Sequence, residues 1–198
     1  MKKLIILGAF SFAPMFAANP GGGSITCDGQ YSGPSPILSN VYVPAGRTCT
    51  MNWIEVAGNV TVDGNLIAFS SKFDGNVSVT GTVAFMNNYQ TPLIGKNLTI
   101  TNSSGQSGIF GDTVEIKGNV SVSGLQPGGS FSFSSNTTVD GGVSITNNLG
   151  RVDISYTTIG KSLDCSGNNP PPTSWSIDHG YGSTVVTAGG KTGQCSSL

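Results

Sequence analysis

The chain has 198 residues, enough for one domain with a substantial core. Only 10% of its residues are charged, the formal net charge is −1, and no basic patch is present to neutralise a phosphate backbone, so nucleic acid is excluded as a partner class. Twenty-nine glycines beside plentiful Val, Ile, Ser, Thr and Asn depart from the usual composition of disorder and suit many short strands joined by tight turns.

Met1-Lys2-Lys3, an apolar run from Leu4 to Phe16, and Ala17-Ala18 read as the basic region, apolar region and cleavage site of a signal peptide over residues 1–18. The run falls short of the roughly 20 residues that span a bilayer as a helix. Met15 fits the small-residue rule poorly, which leaves retention as an uncleaved anchor open, as is the choice between Ala17 and Ala18. With the leader removed, seven basic and ten acidic residues remain, and no membrane association is expected.

After a cap over residues 19–39 comes an internal repeat, over residues 40–165. Gly58-Asn59-Val60-Thr61-Val62, Gly75-Asn76-Val77-Ser78-Val79 and Gly118-Asn119-Val120-Ser121-Val122 are close copies; Lys96-Asn97-Leu98-Thr99-Ile100 and Gly141-Gly142-Val143-Ser144-Ile145 are relaxed ones. Anchoring the repeat on Asn40, Asn59, Asn76, Asn97, Asn119, Gly142 and Ser162 gives spacings of 19, 17, 21, 22, 23 and 20 residues. Three residues before each anchor stand Ile37, Val56, Phe73, Ile94, Ile116, Val139 and Ile159, all large and apolar. A looser apolar cluster lies mid-repeat, at Ile67 and Phe69, Val83 and Phe85, Ile109 and Phe110, Phe131 and Phe133, and Val152 and Ile154. Period-two alternation within the anchor segments marks strands with one face buried. The unit length excludes helical repeats, and the Leu/Asn consensus of leucine-rich repeats is missing. The expectation is an all-β right-handed parallel β-helix of about seven coils, three short strands per coil, stacked about 4.8 Å apart, the hand following from parallel crossovers.

Four cysteines follow a leader, which points to disulfides in an oxidising compartment; by count alone, three connectivities are open. Cys49 falls in the first coil and Cys165 in the seventh, roughly 29 Å apart at the normal strand spacing, whereas a disulfide needs Cα atoms within about 7 Å. The coil assignment therefore pairs Cys27 with Cys49 and Cys165 with Cys195, each bridge pinning an irregular cap (19–39 and 166–198) over an open end. Asn168-Asn169-Pro170-Pro171-Pro172 ends the repeat because proline cannot join a ladder. Ser183–Thr187 is expected as one last edge strand.

Val43-Pro44-Ala45-Gly46 followed by Cys49-Thr50, the Gly-Asn-Val/Leu strands, Cys165-Ser166-Gly167-Asn168-Asn169-Pro170 and the closing Gly193-Gln194-Cys195 give nearly the whole mature chain a resemblance to a group of small secreted bacterial β-helix proteins, largely uncharacterised. The resemblance implies a fold and a secreted or cell-surface address. It carries no catalytic residues.

Polysaccharide-cleaving β-helices need stacked acids for calcium or a close carboxylate pair. Asp63, Asp153 and Asp164 take different offsets from their anchors, and Asp74 and Asp140 share a turn three coils apart, so these acids are expected to make local turn contacts. Lys96, Lys117 and Lys161 share that turn as solvated charges. The single histidine, His179, stands beside Asp178 with no G-x-S-x-G elbow in the chain. Clustered zinc ligands are missing too, so neither catalytic residues, metal nor cofactor are expected.

Asn59, Asn76, Asn97, Asn102, Asn119 and Asn136 head glycosylation sequons, but four of them share the anchor column, where neighbours about 4.8 Å apart leave no room for glycans. An asparagine stack sharing side-chain hydrogen bonds is expected there. The outward positions of the anchor strands form two hydroxyl rows: Thr61, Ser78, Thr99, Ser121 and Ser144, then Asp63, Thr80, Thr101, Ser123 and Thr146. Tyr42 is expected to point outward in the first coil. Trp53, Tyr89, Tyr156, Trp175 and Tyr181 form no line, and most of them are expected to pack in core or cap. The expected function is a non-enzymatic extracellular or cell-surface protein with a structural or adhesive role. The alternatives are a carbohydrate-binding module for extracellular polysaccharide or cell wall, and ice binding through the hydroxyl rows. The oligomeric state stays open.

Overall fold

The computed structural model describes residues 23–33, 36–87, 91–110, 113–134, 136–180 and 185–198. The leader, Tyr89, Tyr181 and Ser183 lie outside the described residues.

The chain winds into a single parallel β-solenoid with three sheets of nine, seven and seven strands along its sides. The anchor segments make the first sheet in the register set by the repeat: Val41, Val60, Val77, Leu98, Val120, Val143 and Leu163 pair in succession. The apolar residues three places earlier make the third sheet, with Ile37, Val56, Phe73, Ile94, Ile116, Val139 and Ile159 in one column. All seven are buried. The glycine of the repeat is a steric requirement. A Cβ on Gly75 would lie 2.4 Å from the carbonyl oxygen of Gly58 in the coil below.

Six turns carry all three strands, fewer than the seven coils expected. The seventh starts with Leu163–Ser166 but forms no second-sheet strand, because the proline run supplies no amide donors there. Thr173 makes only an isolated bridge to Asp153, followed by one short helix, Trp175–Asp178. Val185–Thr187 then joins the third sheet as the expected edge strand.

The caps are less irregular than expected. Ile25–Thr26 and Gln30–Ser32 extend the first and second sheets at the N-terminal end, and Lys191–Gly193 extends the first sheet at the other. β-Structure therefore runs beyond both ends of the 40–165 repeat. The Cys27–Cys49 and Cys165–Cys195 disulfides tie these outer strands to the stack, each with Cα atoms 5.4 Å apart.

In the second sheet the mid-repeat apolar cluster divides between the two faces. Leu66 and Ala68 face the core, while Ile67 and Phe69 face outward. Asn65–Phe69 is apolar on both faces, so its alternation is ambiguous; pairing of Leu66 with Cys49 and Val83 sets the phase. Ile109 is buried but Phe110 is exposed, since adjacent residues in a strand point to opposite faces. The core column holds Phe73 against Phe85, edge-on at 5.9 Å, and Phe131 against Phe133 at 4.8 Å.

Candidate functional site

The hydroxyl rows are real. Thr61, Ser78, Thr99, Ser121 and Ser144 pair in succession on the outer face of the first sheet. Thr101, Ser123 and Thr146 form the second row, and Thr80 donates a hydrogen bond to Asp63 at 2.7 Å. Both ends of this face are interrupted. Tyr42 points outward as expected, and its hydroxyl donates to Asp63 Oδ2 at 2.9 Å. That bond, with burial and the nearby carboxylate charge adding to it, raises the Tyr42 pKa above its ordinary value. At the other end Asp164 accepts from Thr192 at 2.5 Å and from Ser162 at 2.7 Å. These two bonds hold its carboxyl below the usual range.

The anchor asparagines form a ladder along one corner. The backbone N–H of Asn59 donates to Asn40 Oδ1 at 2.8 Å, and the same bond recurs from Asn76 to Asn59, Asn97 to Asn76 and Asn119 to Asn97. From Asn76 onward each side-chain amide also donates to the oxygen below it, at 3.1–3.3 Å. Gly142 N–H ends the ladder on Asn119 Oδ1. A second, shorter amide stack that sequence reading missed lies at the next corner. There buried Asn148 donates to Asn168 Oδ1 at 2.8 Å, and Asn168 donates to Gln194 Oε1 at 3.0 Å. Its signal is faint, because the Gly-Gln194-Cys195 segment looks like tail sequence.

A concave surface lies elsewhere, on the outer face of the second sheet near its C-terminal end. Two adjoining depressions of 320 and 450 Å³ share Ser130, Ser132 and Arg151. The rows Gln106–Ser130–Arg151 and Ser132–Asp153 run along the floor. Small side chains in three successive coils leave this floor low. Leu149 borders it near the strand starts; Phe110, Tyr156 and Trp175 border it near the strand ends. Exposures of 54%, 38%, 38% and 44% place all four side chains at the surface. Trp53, at 48%, is also exposed, on an early coil. The expectation of core or cap packing is thus corrected for Trp53 and Tyr156, whereas Trp175 packs in the C-terminal cap against His179 with its indole partly exposed. All three sit at corners or beyond the last full turn, where the chain leaves the lumen. Trp53 and Tyr156 also have positive φ, 58° and 50°, a backbone state uncommon for bulky residues.

Asp153, whose side chain is only 13% exposed, organises the groove. It accepts from Ser155 at 2.9 Å and from Thr173 at 3.3 Å, and lies 3.6 Å from the Arg151 guanidinium. Ser155 Oγ in turn accepts the backbone N–H of Trp175 at 3.0 Å. The Trp175 indole stacks on the His179 ring at 4.3 Å, and His179 Nδ1 lies 2.8 Å from the Trp175 carbonyl oxygen. His179 thus braces the helix and its indole.

Two lysines and four acids form surface pairs at the third sheet. Lys72 bridges Glu55 and Asp74, and Lys117 bridges Glu115 and Asp140. Hydrogen bonds to these carboxylates raise both lysine pKa values, Glu55 acting most on Lys72 and Glu115 most on Lys117. Asp74 thus makes the local contact expected, whereas Asp140 reaches across to Lys117 in the preceding coil. Among the described residues no group of three His, Cys, Asp or Glu side chains is placed to hold a metal ion, and no helix is long and apolar enough to cross a membrane.

Fold and faces together define a disulfide-tied parallel β-solenoid with a flat hydroxyl face and an aromatic-edged groove. Neither a scan against protein-family models nor comparisons with curated proteins and solved structures finds a match.

Proposed function

We propose that this is a secreted or cell-surface, non-catalytic protein that serves as a rigid structural or adhesive module. The observation that carries the reading is the closure of both ends of the solenoid by strands pinned through disulfides. Disulfides persist in oxidising compartments outside the cytosol. Solenoid ends that are covered resist edge-to-edge association, leaving the sides of the rod as the surfaces that meet partners. The leader-like residues 1–18 and the resemblance to secreted bacterial β-helix proteins support the same address.

The test is to express the full chain in a bacterium with an intact export pathway, locate it by fractionation, and assay attachment of the purified oxidised protein to cells and wall fragments. Recovery in the exterior or surface fraction, with saturable attachment, is expected. Retention in the cytosol with reduced cysteines would overturn the address. Cleavage of any polysaccharide by the purified protein would overturn the non-catalytic reading.

A second reading rests on the register of the two hydroxyl rows, which suits ice binding. It expects thermal hysteresis that Thr99→Tyr abolishes; a solution freezing without hysteresis or ice shaping dismisses it.

A further inference from the structure

Three properties meet in the second-sheet groove. The first is exposed aromatic surface. Phe110, Tyr156 and Trp175 stand on one side of the floor, and Trp175 is held by two independent restraints, the Ser155 hydrogen bond and the His179 stack. Rings held in place lose little entropy on binding. The second is a polar floor of small hydroxyls and one Arg–Asp pair. Ser130 and Ser132 each offer a donor and acceptors, Ser134 Oγ, which donates to the Ile109 carbonyl, offers acceptors only, Arg151 offers several donors, and Asp153 accepts. The third is charge balance: among the described residues, Arg151 and Asp153 are the only charged side chains lining the groove, and they neutralise each other.

These properties select one ligand chemistry. A pyranose ring presents an apolar C–H face beside a rim of hydroxyls, so it can stack on a ring and exchange hydrogen bonds with serine, arginine and carboxylate groups together. A purely apolar segment would strip water from the exposed Arg151 guanidinium and the floor hydroxyls without replacing those hydrogen bonds, which is costly. A polyanion would meet Asp153 as well as Arg151. From the Phe110 coil to the Trp175 level the groove crosses three coil steps, about 14 Å, which suits a short run of linked sugars rather than one.

We propose that this groove, bounded by Phe110, Leu149, Tyr156 and Trp175 over the Arg151–Asp153 pair, is a binding site for a neutral, pyranose-based oligosaccharide. Trp175 and Tyr156 supply the stacking surface, Arg151 hydrogen-bonds to ring hydroxyls, and Asp153 keeps Arg151 and Trp175 in place. The site rests on the adhesive reading above, for which it names the partner. It was illegible in the repeat because its residues come from second-sheet strands and the C-terminal cap, far from the conspicuous anchor rows.

The experiment is calorimetric titration of the oxidised protein with the β-linked hexaoses of glucose, xylose and N-acetylglucosamine, with polygalacturonate as the acidic comparison. Saturable binding of at least one neutral hexaose is expected. It should weaken roughly tenfold or more in Trp175→Ala and in Arg151→Ala. It should survive largely in Trp175→Tyr, which keeps a ring, and be unchanged in Thr99→Tyr on the first sheet. In a Trp53→Phe background Trp175 is the sole tryptophan, so the same titration should shift its fluorescence. Circular dichroism and non-reducing peptide maps identify variants that have lost the fold; Trp175→Tyr and the Trp53→Phe titration keep the test decisive if Trp175→Ala is among them. No response to any neutral hexaose, binding of polygalacturonate alone, or neutral binding unaffected by Trp175→Ala would each overturn the site. Cell attachment without sugar binding defeats this site alone, whereas polysaccharide cleavage defeats the non-catalytic reading and leaves the site standing.

Discussion

Asn97 shows what a single repeat position does. Its oxygen accepts two hydrogen bonds from Asn119, and its own N–H groups donate to Asn76. Asn97→Ala strands the Asn119 backbone donor at a partly wet corner, and a loss of about 1–2 kcal/mol is expected in urea titration. The same bonds bear on modification. In a eukaryotic secretory host, glycopeptide mapping should find sugar on exposed Asn136 before Asn76, Asn97 or Asn119, whose side-chain amides are already hydrogen-bonded within the stack. Tyr42 gives a pH-dependent case. Its raised pKa comes first from the bond to Asp63, so the protonated form is the one the fold favours. That contribution is fully present below the unfolded value near 10 and is lost as pH rises through the folded value. Tyr31, raised by burial and then by Asp28, and the lysines in the Lys72 and Lys117 pairs lose theirs in the same alkaline direction. Asp164 has the opposite sign: its depressed pKa adds stability above the usual carboxylate range, lost as acid protonates it. Unfolding scans should therefore show a flatter alkaline limb in Tyr42→Phe and a flatter acid limb in Asp164→Asn.

At the scale of the element, the three sheets differ in how much of their design is written locally. First-sheet strands alternate buried and outward residues with no ambiguity, as Val60-Thr61-Val62 does, and the third sheet is marked by one apolar column. Both were legible, down to the pairing of individual residues. The second sheet was legible only in part. Within the mid-repeat cluster Phe131 and Phe133 face inward, but Ile67, Phe69 and Phe110 face out, because a strand apolar on both sides carries no internal signal of phase. That ambiguity is also why the groove was missed. Its Phe110 border rests on Gly108, where a Cβ would lie 2.5 Å from the Phe110 ring. Gly108→Ala should therefore displace Phe110 and change the groove while leaving the core intact. Phe73→Ala, by contrast, opens a cavity beside Phe85, and a loss of about 3–5 kcal/mol is expected in denaturant titration.

At the scale of the whole molecule, the nine-stranded first sheet is about 38 Å long at the usual strand spacing, and each coil rests mainly on its two neighbours. Stability in such a rod is lost from the ends, where the disulfides sit. Cross-links spanning 22 and 30 residues are worth about 3–4 kcal/mol each in the chain-entropy account. The Cys165→Ser/Cys195→Ser double variant should lose about that much, with hydrogen exchange accelerating first in Leu163–Ser166 and Lys191–Gly193. Non-reducing peptide maps should join Cys27 to Cys49 and Cys165 to Cys195. The solenoid, its three sides, the asparagine ladder and the cysteine pairing were determined by the sequence itself, because a repeat places equivalent residues in columns and the strand spacing then fixes every distance along the rod. The six full turns, the ordered caps and the aromatic groove were decided only by the tertiary structure. They arise where the repeat fails, at the proline run and the C-terminal segment folded back on the second sheet, and there contacts between residues distant in sequence replace periodicity as the governing constraint.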